Sequence, residues 1–288
     1  MEDYFLDSME HLSDVDLFGR KTFFIAPDAS LIPNSYLEEF MENGFESYII
    51  NDDYSCPMRT KVREIISMFP DSILFFNIDS SIEGIEWKSY IRELAESTSA
   101  DVLFGICHLR RSSESEEARI ASDFLKSSAL KAGSISLDPK NHDCFEEIKR
   151  VLIKNGARGR RNLVRAECSP KSTILLEHDG SKINARLLDV NVTHFLCDLG
   201  DNEVTFKIFD KIRDVSLNIE GLSIKSDAVL IMKRRANGVN LCIFMFIKQD
   251  DSPDLEKESA HKLNKKIYQL VLEKNSARLR NAFARAEK

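Results

Sequence analysis

The chain reads as two folds in series. An α/β part, with five βα repeats building a doubly wound parallel sheet, is followed by an antiparallel β-barrel and a C-terminal helix. Three observations predict this. Short apolar runs alternate with helical stripes from Lys21 to about Asn155, the pattern of a parallel sheet covered on both faces. After Gly156 the apolar period drops from the helical value to two, as in half-buried strands. From about Asp254, Leu263, Ile267, Leu270 and Val271 return to helical spacing. The expected division is an acidic segment 1–20, an α/β domain 21–155, a β domain 156–253 and a basic helix 254–288.

Each element has its own signal. Thr22 to Ala26 (TFFIA) reads as a buried strand. Pro33 and Asn34 then open a helix with Tyr36, Leu37, Phe40 and Met41 on one face and Gly44 as its stop. Strands are predicted over Phe45 to Ile50, Ser72 to Ile78, Asp101 to Cys107 and Ser134 to Leu137. Helices are predicted over Met58 to Met68, Glu86 to Glu96, Glu116 to Ala132 (stopped by Gly133) and Asp143 to Asn155 (stopped by Gly156). In the second part, Lys182 to Leu188 and Glu203 to Ile208 alternate apolar and polar residues. Leu222 to Leu230 marks one or two further strands, and Val239 to Lys248 a last one. Asp179-Gly180, Gly200-Asp-Asn202 and Asn237-Gly238 are the turns, and the Asn-Gly pair between apolar runs is the strongest hairpin signal.

Composition narrows the function. At 288 residues and a net charge of −7, indiscriminate binding to nucleic acid or to anionic membrane is disfavoured. Acidic residues crowd the first twenty positions, and cations crowd both 154–165 and the C-terminal helix. The six cysteines are scattered without a Cys-x-x-Cys, as expected of reduced thiols rather than disulfides or zinc ligands. His108 and His142 have no partner at ligand spacing. The acidic start does not read as a secretion signal, and no apolar run is long enough to span a bilayer. A cytoplasmic protein with no membrane insertion is expected. No nucleophile–base constellation, phosphate loop or metal motif is visible, so no enzymatic activity and no cofactor is expected.

Phe69 to Glu86 (FPDSILFFNIDSSIEGIE) and Ala129 to Pro139 (ALKAGSISLDP) carry a resemblance. In them, and in element order, the first part is similar to the receiver domain of two-component response regulators. The receiver's chemistry is missing. Phe76 falls at the phosphate-acceptor position, Pro27 and Asp28 fall on the acidic pair that holds Mg²⁺, and Asp138 falls on the lysine. An aspartate in place of that lysine repels a phosphoryl group. The resemblance therefore implies a pseudo-receiver kept as an interaction surface. Receivers pair through their fourth and fifth helices, which leaves a homodimer open. Asp79 is the one nearby alternative acceptor.

Two motifs carry the binding chemistry of the second part. Arg161-Asn-Leu-Val-Arg165 spaces two guanidinium groups four apart, and Asp189-Val-Asn191-Val-Thr-His194 ends a strand with a carboxylate and an amide. Arginine forks onto guanine O6 and N7 and pairs with phosphate. A carboxylate suits the N1–H and N2–H₂ donors of the opposite guanine edge. The two motifs resemble the Arg-x-x-x-Arg and Asp/Asn-x-Ser-x-x-Gly signatures of the PilZ domain, a β-barrel that binds cyclic di-GMP. Asn191 replaces the family's serine and His194 its glycine.

The resemblance implies a non-enzymatic cyclic di-GMP effector whose ligand-binding residues are Arg161, Arg165, Asp189 and Asn191. Residues 156–165 would be the joint at which binding is transmitted to an unidentified protein partner. The alternative is a degenerate PilZ and pseudo-receiver scaffold acting through protein contacts without nucleotide.

Overall fold

The computed structural model describes residues 19–27, 32, 35–53, 56–125, 129–138, 144–159, 164–178, 180–200, 206–236 and 239–286. The chain divides into two compact units, Met1–Asn162 with Ser276–Lys288 and Leu163–Asn275.

The first unit is a five-stranded parallel sheet of order β2-β1-β3-β4-β5, the doubly wound order whose switch point lies between β1 and β3. Its strands are β1 (Thr22–Ile25), β2 (Ser47–Ile50), β3 (Ile73–Asn77), β4 (Leu103–Leu109) and β5 (Gly133–Leu137). The helices are α1 (Ser35–Glu42), α2 (Met58–Met68), α3 (Trp87–Ser97), α4 (Glu114–Ile120) and α5 (Cys144–Lys154). Every residue of β1 and β3 is buried, which is why these strands read as unbroken apolar runs. Phe24 stacks on Phe40 and Phe75, and Phe40 on Phe145, so aromatic rings tie the central strands to α1 and α5.

One helix departs from expectation. In place of a helix over Glu116 to Ala132, α4 ends at Ile120 and passes into a π-helical turn, Ala121–Leu125. None of the α4 side chains is buried, so packing does not extend the helix. Ser122, Ser127 and Ser128 add no helical propensity.

The second unit is a closed six-stranded antiparallel barrel. Its strands are β7 (Thr173–His178), β8 (Ser181–Val190), β9 (His194–Asp198), β10 (Lys211–Ile219), β11 (Leu222–Ala236) and β12 (Val239–Ile247). They run in the order β8-β7-β10-β11-β12-β9, and β9 closes back on β8. A short β6 (Ala166–Glu167) adds to β8. The interior holds Leu187, Val190, Phe195, Leu217, Leu230 and Phe244 among others, and Leu263, Ile267 and Leu270 of α6 (Lys257–Ala286) belong to the same core. Across the antiparallel pair β11–β12 Ala236 pairs with Val239, and the expected Asn237-Gly238 turn lies outside the described residues.

The sequence pattern missed β7, β9 and β10. In β10 the alternation of Ile212, Val215, Leu217 and Ile219 is broken by a bulge between Ile212 and Val215, with Asp214 at φ 53°. The strand expected over Glu203 to Ile208 is not seen where it can be followed. Phe206 to Ile208 lead into a turn, and 203–205 lie outside the described residues.

Gly105 of β4 is a position of close approach. A Cβ there would lie 2.5 Å from the Phe75 ring and 2.9 Å from the carbonyl of Gly133. Replacing Gly105 by Ala should therefore cost about 1–3 kcal/mol in overpacking. Denaturant unfolding measures this, and an unchanged midpoint would contradict the packing described.

Candidate functional site

The site is built on β8 and a bulge within it. Ile183, Ala185 and Leu187 alternate inward along β8, and all three are buried. Strict alternation would turn Asp189 inward as well. The register with β9 shifts between Leu187 and Asp189: Leu187 faces Cys197, but Asp189 faces Leu196 and Val190 faces Phe195. Leu188 is the extra residue, and the bulge reverses the faces. Val190 and Phe195 enter the core, and Asp189 comes to the outer face.

Strand β6 delivers the arginine to that face. Ala166 pairs with Val190 and Glu167 with Asp189. Ala166 is buried in the core, so its neighbours Arg165 and Glu167 share the outer face with Asp189. Arg165 Nη1 lies 3.3 Å from Asp189 Oδ2, with side-chain exposures of 29% and 15%. Arg165 Nε has no hydrogen-bond partner among the described residues.

The turn from β8 to β9 completes the outer face. Asn191 Oδ1 accepts from the backbone N–H of Thr193 (2.8 Å) and of His194 (2.7 Å) and from the hydroxyl of Thr193 (2.9 Å). The Asn191 N–H donates to the His194 carbonyl at 2.9 Å. The acceptor end of the Asn191 amide is thus committed to the turn.

His194 Nδ1 lies 2.7 Å from Thr193 Oγ1. The single hydroxyl proton of Thr193 goes to Asn191, so the imidazole donates from Nδ1 and leaves Nε2 as an acceptor. Burial, and secondarily the charge of Arg165, hold the imidazole below its usual pKa.

Of the four residues assigned from sequence, three lie together here: Arg165, Asp189 and Asn191. Arg161 lies outside the described residues. Sequence reasoning had treated His194 as a departure from a motif. It missed the chain of hydrogen bonds from His194 through Thr193 to Asn191. The break in alternation between Leu187 and Val190 was the available signal for the bulge.

The receiver-like mouth of the first unit is engaged by its own side chains. Phe76 is buried against Trp87, Tyr90 and Phe104. Asn77 ends β3, and its amide donates to the Ala26 carbonyl at 3.0 Å. Asp79 Oδ2 accepts from the Leu109 N–H at 2.7 Å, and Oδ1 pairs with Arg111. An amide cannot form an acyl phosphate, and both Asp79 oxygens are occupied. Asp28 lies outside the described residues. Among the described residues no group of three His, Cys, Asp or Glu is placed to hold a metal ion, and no helix is long and apolar enough to cross a membrane.

No protein-family model matches the chain, and a comparison with curated proteins finds no match. Solved structures are similar to it. YcgR of Escherichia coli in complex with c-di-GMP shares 17% identity over 42% of this chain and 50% of its own, with a TM-score of 0.36. The PilZ domain of YcgR with c-di-GMP shares 17% over 41% of this chain and 96% of its own, at 0.34. The PlzA protein of Borreliella burgdorferi with c-di-GMP shares 15% over 44% and 58%, at 0.28. The chain thus spans half the length of the YcgR chain it matches.

Two outcomes follow from the geometry. In an NMR titration His194 should be the Nδ1–H tautomer and should protonate below the ordinary histidine range, with Arg165→Ala moving that titration upward. A histidine titrating at or above the ordinary range would contradict the placement. Because the folded state disfavours the imidazolium, this group adds stability above its unfolded pKa, and that stability is lost as pH falls through the lower folded value. Incubation with acetyl phosphate should leave the intact mass unchanged. A gain of one phosphoryl group lost in Asp79→Asn would show that the carboxylate is available after all.

Proposed function

We propose that the protein is a non-enzymatic cyclic di-GMP effector. The observation that carries this reading is the meeting of Arg165 and Asp189 on the outer face of the barrel, beside the Asn191–His194 turn. Cyclic di-GMP offers two guanines and two phosphates. Arg165 is suited to fork onto guanine O6 and N7 or onto a phosphate. Asp189 then accepts from guanine N1–H and N2–H₂. Asn191 contributes a donor only, since its carbonyl is held by the turn. Arg161 is assigned from its spacing to Arg165.

The Arg165–Asp189 pair sets the entry condition. Ligand must take both partners from each other and return an acceptor to one and donors to the other. Guanine and phosphate together have those groups, whereas a simple anion satisfies only the arginine. Binding at this stretch of chain then signals to a protein partner, with the receiver-like unit as an interaction surface. The alternative, a scaffold without nucleotide, is favoured by the committed Asn191 carbonyl and by a bulky His194 at the end of the turn.

Calorimetric titration with cyclic di-GMP separates the two. Saturable binding is expected, and Arg161→Ala or Arg165→Ala should each weaken it by about tenfold or more, as loss of a charge-assisted bond requires. No saturable binding up to high micromolar ligand would leave the scaffold reading standing. A variant that binds as tightly as wild type would show that its arginine lies outside the site.

A further inference from the structure

A second surface of the barrel has chemistry of its own. The turn Lys207 to Asp210 places Phe209 73% exposed, with Ile208 44% exposed and Met232 of β11 40% exposed. These are three of the five exposed large apolar side chains among the described residues.

The arrangement is fixed rather than loose. The Lys207 N–H donates to Asp210 Oδ2 at 2.6 Å, and the Asp210 N–H to the Lys207 carbonyl at 2.9 Å. The Phe209 N–H donates to the Leu230 carbonyl at 2.7 Å, and the Leu230 N–H to the Asp210 carbonyl at 3.0 Å. Phe206, one step earlier, is buried edge-on against Phe244. Phe209 itself sits at φ 73°, a left-handed conformation that a bulky side chain adopts only at a cost in free energy. Glycine or asparagine would fit the turn without that cost. The fold therefore accepts strain and holds a phenyl ring in water.

Met232 reaches the same place by a bulge. Leu230 faces Phe244 and is buried, but the register shifts between Leu230 and Met232, so Met232 faces Ile243 on the outer side. Met232 lies on β11 two residues beyond Leu230, whose carbonyl and N–H bond Phe209 and Asp210 of the turn.

Exposed cations flank these apolar groups. Lys207 precedes them. Arg234 follows Met232 on the same face of β11 and pairs with Leu241, and Arg235 is next to it. Neither arginine makes an ion pair among the described residues. Lys211 is held by Asp251, and the Asp210 carboxylate is engaged by the Lys207 N–H.

We propose that this tip is a peripheral docking site for an anionic lipid surface. Phe209, Ile208 and Met232 enter the boundary between headgroups and acyl chains, and Lys207 and Arg234 meet the lipid charge. Charge complementarity and size select this occupant. Three side chains, two on the turn and one on β11, fall far short of the roughly 800 Å² per partner that a stable protein interface buries. They suffice for a shallow, reversible membrane contact supported by basic residues. This is a contact with the headgroup layer and not a span. The net charge of −7 argues against membrane binding by the chain as a whole and leaves a local basic rim free to act. The site is independent of the cyclic di-GMP reading.

Co-sedimentation of the full chain tests it, using vesicles of phosphatidylcholine with phosphatidylglycerol against phosphatidylcholine alone. The chain should pellet with the anionic vesicles only, and rising salt should release it. Phe209→Ser should reduce the bound fraction about tenfold, the scale of burying one aromatic side chain, and Lys207→Glu with Arg234→Glu should do the same. Phe209 covers nothing in the core, and Phe209→Trp, read against the buried Trp87, should shift its emission to the blue with anionic vesicles. The proposal is overturned if wild type stays in the supernatant, or if Phe209→Ser pellets as well as wild type. It is equally overturned if the tip drives self-association or captures an acidic protein while ignoring vesicles.

Discussion

One extra residue in β8 decides what the barrel presents to solvent. Strand β8 pairs with β7 along its first half, with β9 along its second, and with β6 beyond the start of β7, so any change in its register propagates to three neighbours. The bulge at Leu188 reverses its faces between Leu187 and Val190. Without it the carboxylate of Asp189 would point at Phe195 in the core, a burial that no protein tolerates unless the charge is paired. With it, Val190 fills the core and Asp189 meets Arg165 outside. The facing of Asp189 and of Val190 thus follows from one backbone irregularity.

The turn that follows locks this arrangement. Three hydrogen bonds converge on Asn191 Oδ1, each contributing about 0.5–1.5 kcal/mol net. They fix the β8–β9 connection and set the proton on His194. The Arg165–Asp189 pair is different in kind. At 3.3 Å and partly exposed, it contributes on the order of 1 kcal/mol. Charge-assisted bonds to a ligand contribute about 1.5–3 kcal/mol each, so the pair can open while the turn stays closed. A rigid turn beside a separable ion pair suits a site that exchanges internal partners for those of a dinucleotide.

Much of this was legible in the sequence, and several of the parts that were not share a cause. Periodicity located the sheet strands of the first unit because β1 and β3 are buried on both faces and carry uninterrupted apolar runs. The antiparallel pairing of β11 with β12 and the stripe of Leu263, Ile267 and Leu270 were equally plain. Arg165 and Asp189 were picked out by residue type and spacing, and the fold brings the two side chains together. What escaped was every feature that depends on a break in alternation: the outward turn of Asp189 after Leu188, strand β10 with its bulge before Val215, and the outward turn of Met232. A period-two pattern assumes a regular pleat, and bulges violate that assumption where surface chemistry is placed. The helix expected to run to Ala132 failed for a separate reason, since α4 buries no side chain that would hold further turns in place.

The most direct measurement of the central claim is a crystal structure of the protein grown with cyclic di-GMP. The dinucleotide is expected on the outer face of β8, with the Arg165 guanidinium moved from Asp189 to a guanine or phosphate, Asp189 accepting from a guanine edge, and the Asn191 turn unchanged. A dinucleotide bound elsewhere, or bound while Arg165 and Asp189 remain paired to each other, would contradict it.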